Sequence, residues 1–140
     1  MITLTLALKS VLSLSIFVNI FMEGGPLFMT LILICLLLSI VFLALGFSSV
    51  KKAQEKATKM LKLASDSSLL GLVMGFLGSV LGLISAFDSV QALGEPDPAI
   101  FAGGLKVSLL TVTFGLFTFV VARIGILILR SVLNSESKTE

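Results

Sequence analysis

Residues 69–89 read Leu-Leu-Gly-Leu-Val-Met-Gly-Phe-Leu-Gly-Ser-Val-Leu-Gly-Leu-Ile-Ser-Ala-Phe-Asp-Ser. Up to Phe87 the run carries no charge, and it has the length and polarity of one bilayer span. Within it Gly71, Gly75, Gly78, Gly82, Ser85 and Ser89 follow at intervals of 4, 3, 4, 3 and 4. Further on, Gly104, Ser108, Thr111, Gly115, Thr118, Ala122 and Gly125 repeat the pattern at 4, 3, 4, 3, 4 and 3. A mean spacing of about 3.5 keeps a stripe turned toward one neighbour along a left-handed crossing. Lipid supplies no hydrophobic force between helices, so small residues act by letting backbones approach and hydroxyls bond across the contact. Both stripes are therefore expected at helix contacts, within one chain or between copies.

The rest of the chain agrees with a membrane setting. Hydrophobic residues make up 56%, charged residues 13%, and the mean hydropathy is +1.15. These values exclude a soluble fold. At about 20 apolar residues per span, 140 residues hold three or four spans and no large soluble domain. The fold class read here is an all-α integral membrane protein with spans at about 27–47, 69–88 and 100–128, assembled into a homo-oligomeric bundle. Glu23-Gly24-Gly25-Pro26 forms a turn before the first span, and Gly94-Glu95-Pro96-Asp97-Pro98 closes the second, because two prolines cannot continue a helix. The long third helix runs from Ile100 to Leu133, about 50 Å at 1.5 Å per residue, so its end projects into water. The membrane domain is 23–134, followed by a tail at 135–140.

Charge sets the orientation. Lys51, Lys52, Lys56, Lys59 and Lys62 crowd into 48–68, and Arg130 and Lys138 into the C-terminal region, whereas Glu95 and Asp97 make the other loop acidic. The positive-inside rule puts 48–68 and the C-terminus in the cytoplasm and the 88–99 hairpin outside. Ala53, Ala57, Met60, Leu61 and Ala64 recur at helical spacing among the lysines, which predicts a short amphipathic helix continuing the first span inward. Residues 1–22 read as an amphipathic helix on the outer face. A fourth span there is opposed by Lys9, worth about 2.5–3.5 kcal/mol near a helix centre, and by Ser10, Ser13, Ser15 and Asn19. No basic start or small-residue cleavage site marks a signal peptide.

Chemistry is sparse. The chain has no histidine, tryptophan or tyrosine, and its one cysteine, Cys35, lies in an apolar run. No metal-ligand spacing, cofactor motif or acid/base constellation is present, which argues against an enzyme. What the spans do carry is hydroxyls: Ser79, Ser108, Thr111, Thr113 and Thr118. A row of hydroxyls hydrates a passage, but it does not by itself bind and release a proton with a useful pKa. Asp88, at the outer end of the second span, reads as an interfacial or capping residue. Lys106 and Arg123 read as snorkelling residues near the two ends of the third. If ions move here, another chain supplies the acid.

Two segments resemble a known family. Leu77-Gly78-Ser79-Val80-Leu81-Gly82-Leu83 is similar to the L-G-T-V-x-G signature in the second span of TolQ and ExbB proteins. The run Gly103-Gly104-Leu105-Lys106-Val107-Ser108-Leu109-Leu110-Thr111-Val112-Thr113-Phe114-Gly115-Leu116 resembles their third-span sequence G-[IL]-A-E-A-L-x-[TA]-T-A-x-G-L. Glu23-Gly24-Gly25-Pro26 resembles the same family's approach to the first span, so the likeness covers roughly 23–130. The resemblance to the MotA/TolQ/ExbB family implies a pentamer in a bacterial inner membrane, with the N-terminus outside. It also implies a dimer of a single-span partner resembling ExbD, TolR or MotB, whose aspartate carries protons or sodium ions. By position, the family's second-span threonine falls on Ser79 and the third-span threonine on Val112, flanked by Thr111 and Thr113. The family's glutamate falls on Val107. The short cytoplasmic segment fits a compact ExbB-like or TolQ-like energiser better than a rotor-coupled unit. An inert scaffold and a small self-contained channel or transporter are the competing readings. The implied ion path is Ser79, Ser108, Thr111 and Thr113; the implied contacts are Gly71, Gly75, Gly78, Gly82, Ser85, Gly104, Gly115 and Thr118.

Overall fold

The computed structural model describes residues 1–23, 25–95 and 97–139, with the side chains of 17 and 20–23 left aside. Gly24 of the first turn, Pro96 of the acidic loop and Glu140 of the tail lie outside the described residues. Four helices follow one another: α1 (Ile2–Glu23), α2 (Pro26–Ser49), α3 (Gln54–Leu93) and α4 (Pro98–Ser137). Three of them, α2, α3 and α4, are long and apolar enough to cross a membrane. At 40 residues each, α3 and α4 extend about 60 Å, twice the thickness of the hydrocarbon core. Their ends stand in water.

The turns follow from local chemistry. Pro26 opens α2 in the first turn, where its missing N–H costs nothing. Gly94 ends α3 with φ 70°, the left-handed conformation that only glycine adopts without strain. Three residues on, the Asp97 side chain accepts a hydrogen bond from the Ala99 N–H (2.9 Å) and caps α4, again with proline in the first turn.

The lysine-rich helix belongs to a different element from the one its sequence suggested. Instead of continuing α2, which stops at Ser49, it forms the first turns of α3 after a turn at 50–53, and α3 then runs unbroken to Leu93. The reason lies in the stripe. Ala57, Ala64 and Ser68, all fully buried, continue the Gly71, Gly75, Gly78 face downward in the same register. A change from polar to apolar side chains at Leu69 does not interrupt backbone hydrogen bonding. The third helix is likewise longer than expected, to Ser137, so the first half of the tail is helical.

α2, α3 and α4 form an up-down-up bundle. At the end that holds the lysines, Leu43, Val50, Ala57, Ala64, Ile126, Leu129 and Leu133 make a hydrophobic core, flanked by Phe42 and Leu61. At the other end α3 and α4 meet through glycine, alanine and serine, topped by the rings of Phe87 and Phe101 with centroids 5.2 Å apart. α1 packs only lightly against α2 and leaves its described side chains exposed. Lys9, Ser10 and Ser13 lie together on one side of it, with Leu6 and Leu14.

Candidate ion path and helix seams

The α3–α4 seam is built on a backbone-to-backbone contact. A Cβ added at Gly75 would lie 2.9 Å from the Gly115 Cα and 3.4 Å from the Thr111 carbonyl oxygen. One added at Gly115 would lie 3.0 Å from the Gly75 Cα. Toward the loop that joins α3 to α4, a Cβ on Gly82 would meet Ser108 Oγ at 2.8 Å, and one on Gly104 would collide with the Ala86 side chain. The helices are antiparallel, so each step out along α3 matches a step back along α4. Ser79 stands four residues beyond Gly75 and three before Gly82; Thr111 stands four before Gly115 and three after Ser108. Ser79 and Thr111 are therefore level.

α2 packs along one edge of this pair. A Cβ added at Gly71 would lie 3.1 Å from the Cys35 Cβ, and one added at Gly78 would lie 2.7 Å from the Phe28 Cγ. On α4, a Cβ added at Gly125 would lie 2.7 Å from the Leu43 side chain, and on α2 one added at Gly46 would lie 2.6 Å from the Leu129 side chain. The glycine stripes thus serve two neighbours within the subunit. Ser39, on α2, is wholly buried and donates to the Ala64 carbonyl at 3.2 Å, tying α2 to α3 across the interior. Sequence reading passed over Ser39. Its signal is a serine one turn from Cys35 in the middle of an apolar run.

The hydroxyls do not form one set. Ser108 and Thr111 are both 2% exposed, inside the seam, and donate to their own helix at Gly104 O (3.0 Å) and Val107 O (3.0 Å). Ser79 is half-buried. It lies one residue, about 100°, from Gly78, which faces α2, and borders the seam on the side away from α2. Thr113 is exposed, two residues round the helix from both Thr111 and Gly115, and donates to Leu109 O (2.7 Å). It shares an outward groove with Ala102, Leu105, Lys106, Leu109 and Leu110. Thr118 is fully buried and its Oγ1 has no hydrogen-bond partner; its methyl lies 3.7 Å from a Cβ on Gly71. Ser85 and Ser89 are exposed in the single chain, and Ala86 occupies the seam beside them. Arg123 is half-buried, with its guanidinium carbon 4.8 Å above the Phe119 ring and its Nε buried without a hydrogen-bond partner.

A hydroxyl that gives its proton to a carbonyl of its own helix keeps oxygen lone pairs for other donors. Such oxygens solvate a cation or accept from a protonated carboxyl. They do not titrate. Among the described residues no three His, Cys, Asp or Glu side chains come together as a metal requires, and Asp88 is exposed near the Leu93 end of α3.

The model of one protein family, described as the MotA/TolQ/ExbB proton channel family, matches residues 43–140, which take in the end of α2 and all of α3 and α4. The chain belongs to that family. No curated protein and no solved structure gives a match. Membership in the MotA/TolQ/ExbB family makes this a multi-pass membrane protein of an ion-conducting class rather than of an enzyme class. The match includes the lysine-rich start of α3, and α1 with most of α2 lies before it.

Proposed function

We propose that this chain is the channel-forming subunit of an ion-motive-force-driven motor in a bacterial inner membrane. It conducts protons or sodium ions together with a dimer of a single-span ExbD/TolR/MotB-like partner carrying an essential aspartate, and turns the flow into mechanical work. The observation that carries this reading is the family match across the whole α3–α4 hairpin. The chemistry of the hairpin supports it: hydroxyl oxygens lie at membrane depth with no carboxylate among them, so the titrating group is external. About five copies form the channel. Ser79, Ser108 and Thr111 serve the ion path, and Thr113, on the other face of α4, is a separate candidate. α1 lies on the outer surface.

The test is reconstitution. The chain, co-expressed with such a partner, is expected to co-purify as an oligomer and to admit protons or sodium into vesicles under an imposed inside-negative potential. Each charge moved across 100 mV releases about 2.3 kcal/mol. Replacing the partner's aspartate by asparagine is expected to stop the flux. An oligomer that binds no such partner and passes no ion would establish the scaffold reading, and full flux without a partner would establish a self-contained channel.

The proposed orientation has its own check. With Cys35 replaced by alanine, Lys56→Cys is expected to react with a membrane-impermeant maleimide only after cells are opened, because Lys56 is exposed at the lysine-bearing end of α3. Labelling of intact cells would invert the topology.

A further inference from the structure

Asp88 is the only acid in α3 beyond Asp66, and Lys106 the only charged residue of α4 before Arg123. Both side chains are exposed. Asp88 is two residues from Ala86, which packs on Gly104; Lys106 is two residues from both Gly104 and Ser108, which pack on α3. Two residues turn a helix by about 200°. Asp88 therefore points away from its own α4, and Lys106 away from its own α3. Within one chain the two charges stand on opposite flanks of the hairpin.

Their heights match across a junction between copies. Because Ala86 and Gly104 are level, Asp88 lies two residues farther out and Lys106 two residues farther in, an offset of about 6 Å at 1.5 Å per residue. Helical side chains lean toward their helix N-terminus. The N-terminus of α3 is at the lysine-rich end and that of α4 at the acidic-loop end, so Asp88 leans inward and Lys106 outward, each toward the level of the other. In a ring around an axis normal to the membrane all copies sit at one depth, and the α4 flank of each meets the α3 flank of the next.

We infer that Asp88 of one copy pairs with Lys106 of the adjacent copy, so that a second copy of this chain occupies the outward face of α4 around Lys106 and Thr113. The proposal rests on the homo-oligomer proposed above and names the contact that closes it. Thr113 lies two turns farther in on the same face, so the pairing assigns that hydroxyl to the junction between copies.

The experiment uses the full chain in detergent, with assembly read by native mass spectrometry. Asp88→Lys and Lys106→Asp, taken singly, are expected to weaken association about tenfold or more, the size of effect that like charges at an interface produce. The double exchange in one chain is expected to restore it. Independently, with Cys35 replaced by alanine, copies carrying Asp88→Cys mixed with copies carrying Lys106→Cys are expected to be joined by a short bismaleimide into dimers containing one of each. A wild-type oligomer without this cross-link, or a double exchange no better than the single ones, overturns the pairing and leaves the oligomer standing. A monomeric wild type overturns both.

Discussion

Gly115→Leu is expected to break the α3–α4 hairpin, while Gly103→Ala leaves it intact. The two positions lie on the same helix and differ in what a side chain would meet. At Gly115 the first carbon already approaches the Gly75 Cα to 3.0 Å and the Gly71 carbonyl oxygen to 3.4 Å, and both are backbone atoms. At Gly103 nothing lies within 4 Å. Backbone cannot rotate out of the way as a side chain does, so the helices must separate along the seam, losing the packing that drives association in lipid. Overpacking of this kind costs about 3 kcal/mol. In detergent that corresponds to a melting temperature lower by about 10 °C. Gly78→Leu is expected to leave the α3–α4 seam in place, because the atoms a Cβ there meets, the Cγ, Cβ and Cδ1 of Phe28, all belong to α2. Thermal unfolding followed by circular dichroism separates the three variants. A Gly115→Leu protein melting with the wild type would show that the seam is not held by close backbone approach.

The second large effect concerns ion coupling. Ser79→Ala together with Thr111→Val is expected to lower ion-driven flux by an order of magnitude or more while assembly and partner binding persist. A hydrogen bond to a charged group is worth about 1.5–3 kcal/mol, and every 1.36 kcal/mol of barrier is tenfold in rate. Losing two oxygens that solvate a moving charge therefore has a kinetic consequence far above its structural one. Hydroxyls that only bridge helices contribute about 0.6 kcal/mol each. Ser79 and Thr111 are level across the seam, so the double variant is expected to exceed either single one. Thr113→Val reports on the opposite face of α4 and distinguishes a path along the seam from one along the outward groove. A double variant that assembles and conducts at the wild-type rate would refute the assignment of these oxygens.

Much of this architecture could be read from residue spacing. The three spans follow from uninterrupted apolar length, and two stripes of matching period mark the contact faces without saying that Gly75 meets Gly115 in the same chain. The lysine helix was misassigned because polarity was taken as a boundary, although Ala57, Ala64 and Ser68 already stood in the register of Gly71. Geometry, not composition, governs where a helix stops. Ser85 illustrates a second limit. A strict 3.5 repeat places it on the seam, but a helix of 3.6 residues per turn drifts against that repeat, and near the C-terminal end of α3 Ala86 has moved into contact. The hydroxyls were harder still. Thr111 and Thr113 are neighbours in a motif, yet two residues of helix put them on opposite faces, one packed in the seam and one exposed. Thr118 and Ser39 show what spacing cannot give, since both depend on where a third helix lies.

α3 and α4 are stiff rods rather than separate membrane and cytoplasmic segments. About 21 residues of α3 separate Gly75 from Gln54, a lever arm of about 30 Å. If the glycine contact acts as a pivot, a tilt of about 5° there carries the lysine-bearing end sideways by about 3 Å, with no joint in between to absorb the movement. Shape change imposed at the middle of the bilayer would then be delivered, undamped, to the aqueous surface beneath it.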